Sequence, residues 1–220
     1  MSEISRIQSY EVWERECYNE IVKVILTSRG KINIALSGGS TPIPIYKRVG
    51  AFLLSLPAFK TENIRFFLVD ERNVPLESSR SNSAMILNTI GQKFVVPFNP
   101  MMETPNEYFD KILKATDRKG AFDLIVLGCG NDGHTASLFP NTTLLQENSS
   151  AFLSNELSTG ELRFSMTYSL ILNAEKRVVF VNDNPEKMEY FTPLAMNKQS
   201  APIHKVLAAS CTKVILHETL

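Results

Sequence analysis

The residues best suited to chemistry fall in three short stretches, each directly after an apolar run. The longest is Gly128-Cys129-Gly130-Asn131-Asp132-Gly133-His134-Thr135-Ala136-Ser137, in which glycines surround one aspartate and one histidine. An imidazole ionises near neutrality, so His134 suits general acid–base work. Asp132 can orient that ring and support its charged form, as the acid of a hydrolytic triad does, or it can position a water. The second stretch is Ser37-Gly38-Gly39-Ser40-Thr41-Pro42. Gly38 and Gly39 permit a tight turn and close approach of backbone to a ligand. The hydroxyls of Ser37, Ser40 and Thr41, with the amides of a following helix, would then form a phosphate cradle. The spacing matches neither glycine pattern that marks a nucleotide site, and an ordinary glycine turn before a capped helix would use the same residues. The third stretch is Asp70-Glu71-Arg72-Asn73-Val74-Pro75. Three charges after a buried strand are normal at a site, although in isolation a solvated loop explains them.

Two further cations are candidates. Arg163 precedes the alternating Phe164–Tyr168, and Lys187 lies in the first turn of a helix opened by Pro185. A lysine there opposes the helix dipole unless an anion binds at the same end; otherwise it is a plain surface lysine. His204 and His217 lack comparable surroundings and read as structural or surface residues. One histidine and scattered carboxylates supply no metal-ligand set of known spacing.

These stretches need elements to hold them. Apolar residues recur at helical spacing from Tyr10 to Arg29, with Gly30 to close the helix. Ile32–Leu36, Ile64–Val69, Phe122–Leu127, Val178–Val181 and Val214–Leu216 are almost continuously apolar, the mark of parallel strands covered on both faces. Helix starts are expected at Thr41-Pro42, with Thr41 as the cap, at Ser81 ahead of Asn82–Ile90, at Thr104-Pro105, and at Asn184-Pro185 leading into Glu186–Met196. Alternating strands and helices predict an α/β fold, whose ligands sit at the carboxyl ends of the strands. All three stretches occupy such ends.

Composition narrows the partners. The chain has 220 residues, with 23 basic and 23 acidic side chains and 44% hydrophobic residues. A balanced charge argues against a nucleic-acid partner, and the apolar content argues against disorder. The length suits one domain over residues 1–220. Cys17, Cys129 and Cys211 form no CxxC pair and read as buried, reduced thiols of a cytoplasmic protein. The polar N-terminus carries no signal-peptide pattern, and apolar runs of about seven residues fall far short of a membrane span. No heptad or apolar stripe points to self-association, so a monomer is the default.

Taken in order, Ser37–Pro42, Asp70-Glu71-Arg72 with Val74-Pro75 and Ser81-Asn82, and Gly128 to Ser137 followed by Leu138-Phe139-Pro140 resemble the 6-phosphogluconolactonase family. The likeness runs from about Ile32 to Leu216. It implies an open, mostly parallel, doubly wound (Rossmann-like) α/β sheet flanked by helices, similar to glucosamine-6-phosphate deaminase. It implies hydrolysis of 6-phospho-D-glucono-1,5-lactone to 6-phosphogluconate, with a small phosphorylated sugar lactone as the partner and neither cofactor nor metal. His134 takes the catalytic place with Asp132 beside it. Ser37, Gly38, Gly39, Ser40, Thr41, Asp70, Arg72, Arg163 and Lys187 take the substrate and phosphate places. Residues 141–160 carry no family signature. A deaminase or isomerase shares the glycine loop, the Asp-Glu pair and the Asp-Gly-His loop. It also carries a glutamate five residues after the histidine, where this chain has Phe139. A non-catalytic sugar-phosphate sensor would keep the cradle but has no need of Asp132 and His134.

Overall fold

A computed structural model describes residues 2–117, 119–198 and 200–219. In chain order, the first half runs β1 (Glu3–Ile7), α1 (Tyr10–Thr27), β2 (Ile32–Leu36), α2 (Ile43–Ser55), α3 (Ala58–Thr61), β3 (Ile64–Leu68), β4 (Asp70–Arg72), α4 (Asn82–Ile90) and α5 (Pro105–Ala115). The second half runs β5 (Leu124–Leu127), β6 (Phe152–Glu156), β7 (Leu162–Met166), α6 (Tyr168–Leu172), β8 (Arg177–Val181), α7 (Pro185–Met188), α8 (Pro193–Lys198), α9 (Pro202–Leu207) and β9 (Thr212–His217).

Among the described residues, six strands form one sheet in the order β1-β9-β8-β5-β2-β3, with every pairing parallel. All five residues of β2 and of β8 are buried, so helices cover both faces of the sheet, as the continuous apolar runs predicted. The chain steps outward from β2 to β3 in one direction and from β5 through β8 to β9 in the other. The reversal lies between β2 and β5, where an open α/β sheet leaves its crevice. Leu36 is level with Val126 and with Leu68, so the loops after β2, β3 and β5 emerge side by side.

A second sheet was not expected. β4, β7 and β6 pair antiparallel, with Asp70 opposite Ser165 and Arg72 opposite Arg163. The Asp-Glu-Arg stretch is therefore a short strand and not a loop. Residues 141–160 supply β6, and the alternation read over Phe164–Tyr168 belongs to β7 and the start of α6. The Met166 amide donates to the Val69 carbonyl at 2.9 Å and joins the two sheets.

Other boundaries shift for local reasons. The helix from Tyr10 ends at Thr27 with Ser28 as its cap, three residues short of Gly30. Thr41 does not cap α2; Pro42 holds that place with no side-chain bond, and Ile43 begins the helix. The helix expected over Glu186–Met196 is one turn of α7, a 3₁₀ turn at Glu189–Phe191, then α8 restarting at Pro193. Proline lacks the amide that a continuous helix would need there. Ser81 and Thr104 cap as read, Thr104 in a reciprocal box with Glu107. Cys17 and Cys129 are buried, but Cys211 is exposed, against expectation, in a left-handed turn ahead of β9.

Candidate active site

A cavity of about 370 Å³ opens at the carboxyl ends of β2 and β5. Its lining includes Ser37, Gly38, Gly39, Ser40, Thr41, Asp70, Arg72, His134, Arg163 and Lys187, so the structure brings together nearly every residue singled out in the sequence. Asp132 is the exception. It stands behind His134 and reaches the cavity through that ring.

The loop after β2 starts where the Ser37 amide extends the ladder to Val126. Among the described residues, the amides of Gly38, Gly39, Ser40 and Thr41 donate to no protein acceptor. Four such donors in a row, on a loop that lines the cavity, can hold an anion. The helix behind them contributes less than expected. Ile43 donates back to Ser40 at 3.3 Å, and the prolines at 42 and 44 have no amide hydrogen. Gly38 is required by contact: a β-carbon there would lie 1.8 Å from Oδ1 of Asn82.

The loop after β5 presents the histidine. Nδ1 of His134 is hydrogen-bonded to the Asp132 carboxylate, and the His134 amide donates to the same oxygen at 3.2 Å. A carboxylate only accepts, so Nδ1 carries the hydrogen, and in the neutral ring Nε2 keeps its lone pair. Nε2 has no partner among the described residues. A β-carbon on Gly130 would meet the imidazole at 2.1 Å, so only glycine lets the ring lie back over the loop. Phe139 stacks on the other side, with centroids 4.0 Å apart and planes at 26°. The Thr135 hydroxyl donates to the Gly128 carbonyl at 2.8 Å, and Tyr190 donates to the Asn131 carbonyl at 3.2 Å, fixing the loop at both ends. Cys129 also lines the cavity; burial pushes its thiol up to about 12, so it is protonated at neutral pH.

The third stretch divides by strand alternation. Asp70 faces the cavity, where Ser137 donates to its carboxylate at 2.7 Å and Asn82 donates to its carbonyl at 2.9 Å. Glu71 does not face the site. It is wholly buried and accepts from the amides of Arg72, Asn82 and Ser83 and from the Ser81 hydroxyl, all within 3.0 Å. Burial raises its carboxyl above the ordinary value, and those donors at the head of α4 offset part of the rise. Arg72 and Arg163 are cross-strand neighbours on one face of the small sheet, and like charges placed so repel. Glu161 relieves part of this, accepting from Arg163 at 2.8 Å and from Arg80. Desolvation pushes the Glu161 carboxyl up, but bonds from Arg163 and Arg80 bring it below the usual range. Nε of Arg72 and Nε of Arg163 stay buried with no acceptor among the described residues. Lys187, from α7, lines the cavity beside Cys129 and has no ion pair among the described residues.

Sequence reasoning missed Ser137, Asn82 as a bridge between Asp70 and Gly38, and the stacking of Phe139. All three stand within the quoted motifs, but only folding shows what they touch. His204 is structural as read: its Nδ1 accepts from the Ala201 amide and its Nε2 donates to the Tyr190 carbonyl. Among the described residues, no group of three or more His, Cys, Asp or Glu side chains is placed to hold a metal, and no helix is long and apolar enough to cross a membrane.

A parallel α/β sheet with free loop amides and a carboxylate-oriented imidazole at its reversal point places the chain among open α/β proteins whose site lies at the carboxyl ends of the strands. The family model described as glucosamine-6-phosphate isomerases/6-phosphogluconolactonase matches residues 13–216, and the chain belongs to that family. A 6-phosphogluconolactonase of Thermotoga maritima is 32% identical over 179 residues, covering 77% of each chain. The crystal structure of a 6-phosphogluconolactonase from Shewanella baltica superposes with a TM-score of 0.79 at 23% identity, over 100% of this chain and 98% of that one. A monomeric glucosamine-6-phosphate deaminase gives the same TM-score at 16% identity, over 98% of this chain and 97% of the other. The fold therefore serves both activities, and side chains must separate them.

Proposed function

We propose that this protein, acting as one α/β domain, hydrolyses 6-phospho-D-glucono-1,5-lactone to 6-phosphogluconate. The observation that carries the reading is His134, tied to Asp132 through Nδ1 with Nε2 open to a cavity edged by Arg72, Arg163 and Lys187. The 32% identity to the Thermotoga 6-phosphogluconolactonase supports the same substrate. Phe139 supports it over the deaminase: the ring against His134 leaves no carboxylate at that position for opening a sugar ring.

In this mechanism the phosphate sits against the amides of Gly38 to Thr41 and the nearby cations, and it orients the lactone from a distance. Water attacks C1 while Nε2 of His134 takes its proton. Asp132 holds the tautomer and supports the imidazolium that forms. Backbone amides of the glycine loops or Arg72 stabilise the oxyanion. The tetrahedral intermediate then collapses with cleavage of the bond from C1 to the ring oxygen, and His134 returns the proton to that oxygen. The carboxylic acid so formed ionises and releases one proton to solution. Cys129, held as a thiol, plays no part as nucleophile.

The test is proton release from freshly generated 6-phosphogluconolactone, measured against its spontaneous hydrolysis. Catalysed hydrolysis with no ammonia formed from glucosamine 6-phosphate is the expected result. Ammonia without lactone hydrolysis would assign the deaminase reaction, and neither activity would leave a sugar-phosphate sensor.

A further inference from the structure

Among the described residues, Asp132, Gly130 and Phe139 lie against the imidazole of His134, and the mechanism uses only Asp132. Asp132 binds its edge and Gly130 lies against one side. Phe139 covers a face at 4.0 Å. Packing does not explain this phenylalanine. It belongs neither to the buried apolar cluster nor to the partly buried residues that pack on it. Among the described residues its aromatic and cationic contacts are two, the His134 ring and the Arg163 guanidinium at 5.9 Å. A large apolar side chain that serves no core and touches two site residues has its value at the site.

Asp132 alone is a weak guide for the ring. Its side chain is 49% exposed, and one hydrogen bond at Nδ1 leaves the imidazole free to tilt about that bond. A stacked ring removes the tilt. We infer that Phe139 is a positioning residue for the lactone hydrolysis proposed above: its phenyl face holds the His134 imidazole in the plane that aims Nε2 into the cavity. The inference rests on that reaction for its kinetic consequence, but the stack itself can be observed without it.

The experiment combines kinetics with NMR on the intact chain. The three histidines, His134, His204 and His217, give few imidazole signals, and His134→Gln assigns the one from His134. The phenyl face should shift the His134 ring protons upfield in the wild type. Phe139→Leu keeps an apolar side chain but has no aryl face, so the shift should vanish. Its kcat should fall about tenfold, the size of one aromatic pair, with KM within about twofold. Phe139→Tyr, which restores the ring face, should recover both the shift and kcat. An unshifted His134 signal in the wild type overturns the role of Phe139, even if the leucine variant does not fold. So does a leucine variant that loses the shift and keeps its kcat. A wild-type chain with the shift but no lactonase activity strikes the reaction and not the stack, so the two failures are distinguishable.

Discussion

Arginines at the two ends of the molecule, one in the main sheet and two in the small one, are treated in opposite ways. At the foot of β8, Arg177 is buried and its donors are engaged: Nε to the Thr212 hydroxyl at 3.1 Å, one terminal nitrogen to the carbonyls of Leu172 and Ala174, the other to that of Ser210. At the other end, Arg72 and Arg163 face one another across β4 and β7, each with a buried Nε that has no acceptor among the described residues. The two acids differ in direction and degree: Glu71 is buried and held by four donors, whereas the Asp70 carboxylate, held by Ser137 and Asn82, faces the cavity. A buried charge whose bonds are complete serves the fold, whereas one left incomplete beside a like charge is held ready for a ligand. The lesson is that satisfaction, more than burial, tells the two kinds apart.

The division can be broken by substitution, because each end should fail in its own way. His134→Ala should lower kcat by roughly 10²–10⁴ with an unchanged urea midpoint, the loss expected for a general acid–base group. Near-normal turnover would remove His134 from the mechanism. Arg177→Met should do the reverse. Removing the donors that hold four acceptors, two of them in buried bonds, should destabilise the chain by about 3 kcal/mol in urea unfolding, while the folded fraction keeps its kcat. Glu71→Gln should follow Arg177 on a smaller scale, losing about 1–3 kcal/mol because an amide cannot accept from all four donors. Arg163→Ala is the sharpest check, with the smallest effect. KM should rise about tenfold at nearly constant kcat, and stability should stay within about 1 kcal/mol because repulsion with Arg72 is relieved. If Arg163→Ala unfolds the chain and leaves KM alone, the two ends do not differ as described.

The sequence made the crest of the sheet readable because β2, β5 and β8 are buried on both faces and their apolar runs are unbroken. The loops that follow them were found for that reason. β1 was missed: it lies at the edge of the sheet, and its Glu-Ile-Ser-Arg-Ile pattern resembles any polar N-terminus. β4 was missed because three charges hide a strand whose pairing partner lies far along the chain in β7. Asp70 and Glu71 could not be told apart by type; alternation along β4 sends one to the cavity and the other under α4. Thr41-Pro42 has the local chemistry of a capped start, yet the loop needs Thr41 at the cavity and shifts the cap to Pro42. The roles of Ser137 and Phe139 depend on contacts that no spacing rule anticipates.

The placement of the cysteines has a consequence for chemical probing. Cys129 lies in the cavity wall as a buried thiol pushed up to about 12, while Cys211 is exposed at the far end of the sheet, beside the start of β9. An alkylating reagent reacts with accessible thiolate. Iodoacetamide should therefore label the Cys211 peptide first, as mass spectrometry of the digest would reveal, and turnover should survive stoichiometric modification. A thiol-directed covalent inhibitor would find its handle on the wrong side of this molecule.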